Sequence, residues 1–292
     1  MTINFTKMQG CGNDYVYVDT VKEDVFIEDK EKSELARIIS DRHFGVGSDG
    51  LIFVNKSDKA DFEMEMYNAD GSRGEMCGNG MRCVAKIIYD RGYIEKEKFT
   101  IESMGAVKNI TVYEKDGKAD LITVDMGEPV LLPELVPVKA ARGLKNAVNM
   151  PIETKELSAK FTAVSMGNPH AVIFMDSVRG YEGTLSDMPL EKYGPSFENH
   201  DLFPARVNTE FIEVVNDHEV NLRVWERGSG ETLACGTGCS ATVVAGTLTG
   251  KTSREIKVNV RGGALSVRWS ESDNHVYMTG PAKYVFDGTF EY

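Results

Sequence analysis

Two stretches decide the fold: CGNGMRCVAKIIYDRG at residues 77–92 and CGTGCSATVVAGTLTG at residues 235–250. Each runs from a cysteine to a glycine fifteen positions later. In the first, Met81, Val84, Ala85 and Ile88 recur at helical spacing; the second is apolar or small nearly all round. That pattern predicts a helix wrapped by sheet rather than one lying on a surface. The closing Gly92 and Gly250 fit a left-handed helix stop.

Working outward, the two stretches belong to an internal repeat at an offset of 158 residues. Phe62, Met64 and Met66 fall onto Val220, Leu222 and Val224, and Cys77, Gly78 and Gly80 onto Cys235, Gly236 and Gly238. Gly92 falls onto Gly250, and Gly105-Ala106 onto Gly263-Ala264; near the start, Gly12-Asn13 matches Gly167-Asn168 at an offset of 155. Strand, turn, helix and next strand keep phase, the mark of one structural plan written twice. FTKM, YVYVD, GLIFVN, FEMEMYN and FTIES carry the alternation or apolar run of half-buried strands. The expected fold is α/β, of the α+β type: two pseudo-symmetric domains, each a mixed sheet or barrel around a central helix, with the active site in the cleft between them. The expected boundaries are 1–128, joined by a C-terminal strand at 279–292, and 129–278. The Pro-containing stretch EPVLLPELVPVKA, residues 128–140, is the expected passage between halves.

The chain has 292 residues, 41% of them hydrophobic, and a formal net charge of −12. An apolar fraction of this size builds cores and excludes a disordered chain. An acidic balance offers no footprint for a phosphate backbone, so nucleic acid is not an expected partner. No window approaches the roughly 18 apolar residues of a membrane span, and no membrane partner is expected. The sequence predicts a cytoplasmic protein whose five cysteines are reduced thiols.

Cys77 and Cys235 each stand at the expected first turn of a central helix. There, unpaired backbone N–H groups and the positive end of the helix dipole favour an anion and are expected to lower a thiol's pKa toward neutrality. Gly78, Gly80, Gly236 and Gly238 leave those N–H groups bare for a substrate carboxylate as well. Two equivalent thiols, one on either side of a carbon, would act as base and acid in inverting a stereocentre beside a carboxylate. Cys83 and Cys239 read as core, and no role follows for Cys11. Cys-x₅-Cys and Cys-x₃-Cys flanked by glycine are not the usual zinc knuckles, so no metal is expected.

KMQGCGND (7–14), YNADGSRGEMCGNGMRC (67–83), MGNPHAV (166–172), VNTEF (207–211) and WERGSGETLACGTGCSA (225–241) together resemble the diaminopimelate epimerase family. The resemblance covers essentially the whole chain. It implies an isomerase of lysine biosynthesis that interconverts LL- and meso-diaminopimelate without pyridoxal phosphate or any other cofactor, commonly as a homodimer. It further implies that Cys77 is proton donor and Cys235 proton acceptor, with roles exchanging by direction, and that His170 and Glu226 tune the two thiols. Gly78-Asn79 and Gly236-Thr237 match the helix-start groups that hold the reacting carboxylate and amine end. Asn13, Asn68, Asn168, Asn208, Glu226 and Arg227 match the substrate contacts, Arg227 as the bidentate reader of the distal carboxylate. Gly50 departs from the pattern, since many members carry a substrate-contacting glutamine there. Two other readings stay open at this point. One is a proline- or hydroxyproline-type racemase, which resembles this chain in its paired cysteines but typically has histidine where Asn79 stands. The other is a cytosolic thiol-redox sensor.

Overall fold

The computed structural model describes residues 1–22, 27–74, 76–139 and 143–292; Glu75 and Ala140, within two of the motifs above, lie outside the described residues. The chain divides into two compact units, Met1–Asp125 with Thr279–Tyr292, and Met126–Met278. The first opens with β1 (Thr2–Gly10), β2 (Asn13–Asp19), α1 (Asp29–Ser40), β3 (Gly50–Asn55) and β4 (Phe62–Asn68). It continues through α2 (Gly78–Asp90), β5 (Lys98–Ser103), β6 (Ala106–Lys115) and most of β7 (Lys118–Gly127). The second holds β8 (Met150–Glu153), β9 (Ser158–Ser165), β10 (Pro169–Phe174), α3 (Leu190–Glu198), β11 (Asn208–Asn216) and β12 (Glu219–Glu226). After β13 (Gly230–Thr232) come α4 (Gly236–Leu248), β14 (Glu255–Val260) and β15 (Gly263–Trp269). β16 (Val276–Pro281) spans the boundary, and β17 (Lys283–Glu291) returns to the first unit, antiparallel to β1 from Thr2 opposite Glu291 to Gln9 opposite Lys283.

The repeat holds at the level of strand register. β2 runs parallel to β3 with Val16 opposite Leu51, and β10 runs parallel to β11 with Ala171 opposite Thr209. Antiparallel β3 and β4 pair Val54 with Met64; β11 and β12 pair Ile212 with Leu222. These are the same pairs moved by 155 or 158 residues. Both units are therefore mixed sheets, with parallel steps where a long connection crosses over and antiparallel steps where a hairpin turns. After the helices the offset drops to 157. The hairpin of β5 and β6 closes at Ser103 opposite Ala106, and that of β14 and β15 at Val260 opposite Gly263. Gly105 is thus matched by Gly262, correcting the alignment of Gly105-Ala106 with Gly263-Ala264. The physical reason is a connection one residue shorter between α4 and β14 than between α2 and β5, so the glycine doublet at 262–263 hid the slip.

α2 and α4 each bury ten of their thirteen residues, far more than the stripe a surface helix buries, so each is enclosed by strands. α2 packs against β1, β2 and β6, and α4 against β9, β10, β11, β14 and β15. Burying Val243 and Val244 fully contributes about 1.5–3 kcal/mol each. The hydroxyls of Ser240 and Thr242 do not oppose this, because they donate to the carbonyls of Gly236 at 3.0 Å and Gly238 at 2.8 Å, one turn back. The stretch from Glu128 to Lys139 is no exposed linker: Val130 bridges Ser165, and Val136 and Val138 join the core of the second unit.

Both central helices stop in the same way. Gly92 (φ 71°) donates to Tyr89 and Tyr93 to Ile88; Gly250 (φ 68°) donates to Thr247 and Lys251 to Gly246. This pair of crossed bonds satisfies the last carbonyls and needs a left-handed residue. A Cβ at either glycine would meet nothing within 4 Å, so the only cost of alanine is the backbone conformation. Gly92→Ala and Gly250→Ala are expected each to destabilise the protein by about 1–2 kcal/mol, read as a lower Tm by calorimetry. An unchanged Tm would contradict the assignment.

Candidate active site

In the first unit Cys77 is the residue capping α2, with extended backbone (φ −129°, ψ 106°). Its sulfur accepts the N–H of Gly80 at 3.3 Å, and its thiol donates to Asn13 Oδ1 at 3.1 Å. The Asn13 amide is itself fixed, donating to Asp49 at 2.6 Å, while Arg42 holds the other oxygen of Asp49 at 2.9 Å. Asn79 is buried, and its Oδ1 accepts from Arg82 at 2.8 Å. Asn68 closes β4, opposite Gly50, and donates to Ser72 at 3.0 Å.

The second unit repeats the device. Cys235 caps α4 (φ −117°, ψ 111°), its sulfur accepting the Gly238 N–H at 3.4 Å and lying 3.4 Å from the Thr237 hydroxyl. Glu226, at the end of β12, accepts from Thr232 and acts electrostatically on the Cys235 thiol. His170 is fully buried, with Nδ1 2.7 Å from Glu210 Oε1 and Nε2 2.8 Å from Asn168 Oδ1. A carboxylate only accepts, so Nδ1 carries a proton and the ring is locked in orientation from both sides. Asn208 donates to the Pro169 carbonyl at 3.0 Å and accepts the Arg227 N–H at 2.9 Å, which ties the end of β12 to the start of β11. The Arg227 guanidinium donates to the Ala205 carbonyl at 3.0 Å.

The thiols do not titrate as the helix starts alone predict. Burial pushes Cys77 above the ordinary thiol range; the N–H groups of Gly80 and Asn79, the Tyr15 hydroxyl and the Arg82 charge oppose it without overcoming it. Cys235 is raised well above that range, first by burial and then by the negative charges of Glu226 and Glu210, against only Thr237 and the Gly238 N–H. Glu226 is raised too, by burial, with Thr232 and His170 pulling down. The expected lowering toward neutrality is therefore corrected: removing water from a sulfur outweighs one or two helix-start hydrogen bonds.

Three residues that influence the thiols were given no role by motif reading: Tyr15, outside the quoted family motifs, and Arg82 and Glu210, within them. Tyr15 follows Asn13 by two along β2, and Glu210 follows Asn208 by two along β11, so strand alternation was the available signal. Arg82, fully buried, reaches the carbonyls of Pro281 at 3.1 Å and Gly78 at 3.3 Å. The other cysteines are core, as their spacing predicts: Cys83 is fully buried and pushed up to about 12, and Cys239 is fully buried. Cys11 is buried at a left-handed turn beside Arg82. Among the described residues, no group of three or more His, Cys, Asp or Glu is placed to hold a metal ion, and no helix is long and apolar enough to cross a membrane.

Residues 5–132 and 162–285 match the family model described as diaminopimelate epimerase. The chain is 49% identical to a diaminopimelate epimerase of Agathobacter rectalis, over 99% of each chain, and 48% identical to one of Leptospira biflexa, over 100% of each. A hydroxyproline epimerase from Agrobacterium vitis, solved with trans-4-hydroxy-L-proline, shares the fold at 14% identity, with a TM-score of 0.70 over 99% of this chain and 91% of that one. A PhzF-family phenazine biosynthesis protein of Bacillus anthracis does so at 17% identity, with a TM-score of 0.67 over all of both chains.

The unequal surroundings of the two sulfurs are expected to show as unequal reactivity. In iodoacetamide labelling read peptide by peptide across a pH series, Cys77 should react at lower pH than Cys235. Glu226→Gln, by deleting the negative charge that raises Cys235 most, should move the Cys235 profile down in pH and leave that of Cys77 in place. The reverse order in the unmutated protein would contradict this electrostatic account.

Proposed function

The chain belongs to the diaminopimelate epimerase family, and from that premise we propose that it interconverts LL- and meso-2,6-diaminopimelate, in lysine biosynthesis, by proton transfer between two thiols. The observation that carries the reading is the duplicated helix start: a cysteine capping the central helix of each unit, with the backbone N–H three residues on directed at its sulfur. The α-carbon proton passes to one sulfur as thiolate, and the other sulfur, as thiol, returns a proton from the opposite face. In the LL-to-meso direction Cys235 accepts and Cys77 donates; the reverse direction exchanges them, so each turnover leaves the pair of sulfurs one proton between them.

The carbanion needs its charge spread into the adjoining carboxylate. The N–H groups at Gly78-Asn79 and Gly236-Thr237 supply donors that cost no reorganisation during the reaction. Asn13, Asn68, Asn168 and Asn208, with Glu226, hold the amine and carboxylate ends, and the Arg227 guanidinium, one arm on Ala205, takes the distal carboxylate. His170 tunes the second thiol through Glu226, whose titration it lowers. No cofactor enters this scheme. The protein acts on a small molecule in the cytoplasm, as a homodimer, without nucleic-acid or membrane partners.

Cys77→Ser and Cys235→Ser are each expected to lower epimerase turnover by three orders of magnitude or more, because a hydroxyl is too weak an acid to replace either thiol. Near wild-type turnover in either variant would overturn the two-thiol assignment. Arg227→Ala should weaken kcat/KM by at least a hundredfold, while Arg268→Ala, exposed on β15 opposite Glu255, should change it less than twofold.

A further inference from the structure

Within the duplicated plan, Tyr15 stands where His170 stands: the offset of 155 that carries Asn13 onto Asn168 carries Tyr15 onto His170. The neighbouring strand agrees. His170 lies opposite Asn208, and Val16 opposite Leu51, which puts Tyr15 beside Gly50, the counterpart of Asn208. Side by side with a side-chain-free residue, the Tyr15 ring fills the vacancy. A Cβ built on Gly50 would come 2.8 Å from Tyr15 Cε1 and closer still to the Tyr67 carbonyl. The ring is buried, and its hydroxyl and the Cys77 sulfur are near enough to shift each other's titration, while Asn13 receives the Cys77 thiol at 3.1 Å.

We propose that Tyr15 is a positioning residue of the first half-site, its phenol donating to the Cys77 thiolate as the sulfur loses its proton, and that Gly50 is glycine to seat the Tyr15 ring there. The two halves thus support their thiols by different chemistry at matched positions. The second uses an imidazole locked by a carboxylate; the first uses a neutral donor that stays protonated, since burial and the neighbouring Cys77 and Asp49 push the Tyr15 hydroxyl well above its usual range. A neutral donor stabilises a thiolate without placing a counter-charge beside the carbanion, and hydrogen bonds to ionised acceptors are the stronger ones. The other groups interacting with Cys77 include Arg82 from α2, which favours the thiolate, Cys83, buried and protonated at neutral pH, and Tyr17 of β2, buried and raised well above its usual range.

The proposal rests on the two-thiol reading for its role in turnover, but its test is made separable by reading the sulfur directly. In Tyr15→Phe the pH profile of Cys77 alkylation by iodoacetamide, followed on the Cys77 peptide by mass spectrometry, should move up by roughly one pH unit, tenfold in thiolate at fixed pH. The Cys235 profile should stay in place, and kcat should fall more than KM rises. Gly50→Ala, which displaces the ring, should move Cys77 in the same direction, and adding it to Tyr15→Phe should move it no further. An unmoved Cys77 profile in Tyr15→Phe, equal shifts at both cysteines, or additive shifts in the double variant would each overturn the proposal. Should Tyr15→Phe fail to fold by circular dichroism, Gly50→Ala carries the same readout, and an unmoved Cys77 profile there would overturn it equally. Loss of α-proton exchange by the unmutated protein would instead sink the two-thiol reading and leave the Tyr15 contact to be judged on alkylation alone.

Discussion

Everything at the site turns on a contest at two sulfur atoms between burial, which keeps a thiol protonated, and the first-turn N–H groups of a helix, which favour the thiolate. Neither influence is optional. Water must be kept from a carbanion, and the same exclusion strengthens every donor aimed at the substrate; yet a dry sulfur gives up its proton reluctantly. The fold resolves the contest by spending a whole central helix on each cysteine. α2 and α4 bury ten of thirteen residues apiece and pack against the strands carrying Asn13 and Asn208. Gly238 shows how close the fit is, since a Cβ there would come 2.7 Å from Glu210 Oε1.

The duplication is conserved in backbone and divergent in charge. Strand pairs, helix lengths and helix stops repeat, while the groups acting on the sulfurs do not: Tyr15 and Arg82 on one side, Glu226 and Glu210 on the other, with His170 held against Glu210. A reversible epimerase needs one sulfur to hold a proton when the other lacks it. Unequal surroundings give the resting protein one preferred arrangement, with the carboxylate-flanked Cys235 keeping its proton more firmly than Cys77.

Much of this was legible in the sequence because the repeat carries phase. A cysteine, three glycines and a strand alternation recurring at one offset left few folds to choose among, and the positions of Cys77 and Cys235 followed from helix-start chemistry. What stayed hidden has physical reasons. The one-residue slip after α4 was masked by the adjacent glycines 262 and 263, which are interchangeable in a pattern. Tyr15, Arg82 and Glu210 belong to ordinary strands and helix turns, and only their burial beside a sulfur gives them meaning. The direction of the thiol shifts was misjudged because helix-start stabilisation is written in the local sequence, whereas desolvation depends on how completely distant strands close over the site.

The most direct test of the central claim is the fate of the α-proton. LL-diaminopimelate incubated with the protein in deuterium oxide and followed by mass spectrometry should yield meso product carrying one solvent deuterium at the inverted α-carbon, while proline under the same conditions acquires none. Meso product that retains its original hydrogen, or exchange into proline instead, would contradict the account of two thiols acting on a diaminopimelate.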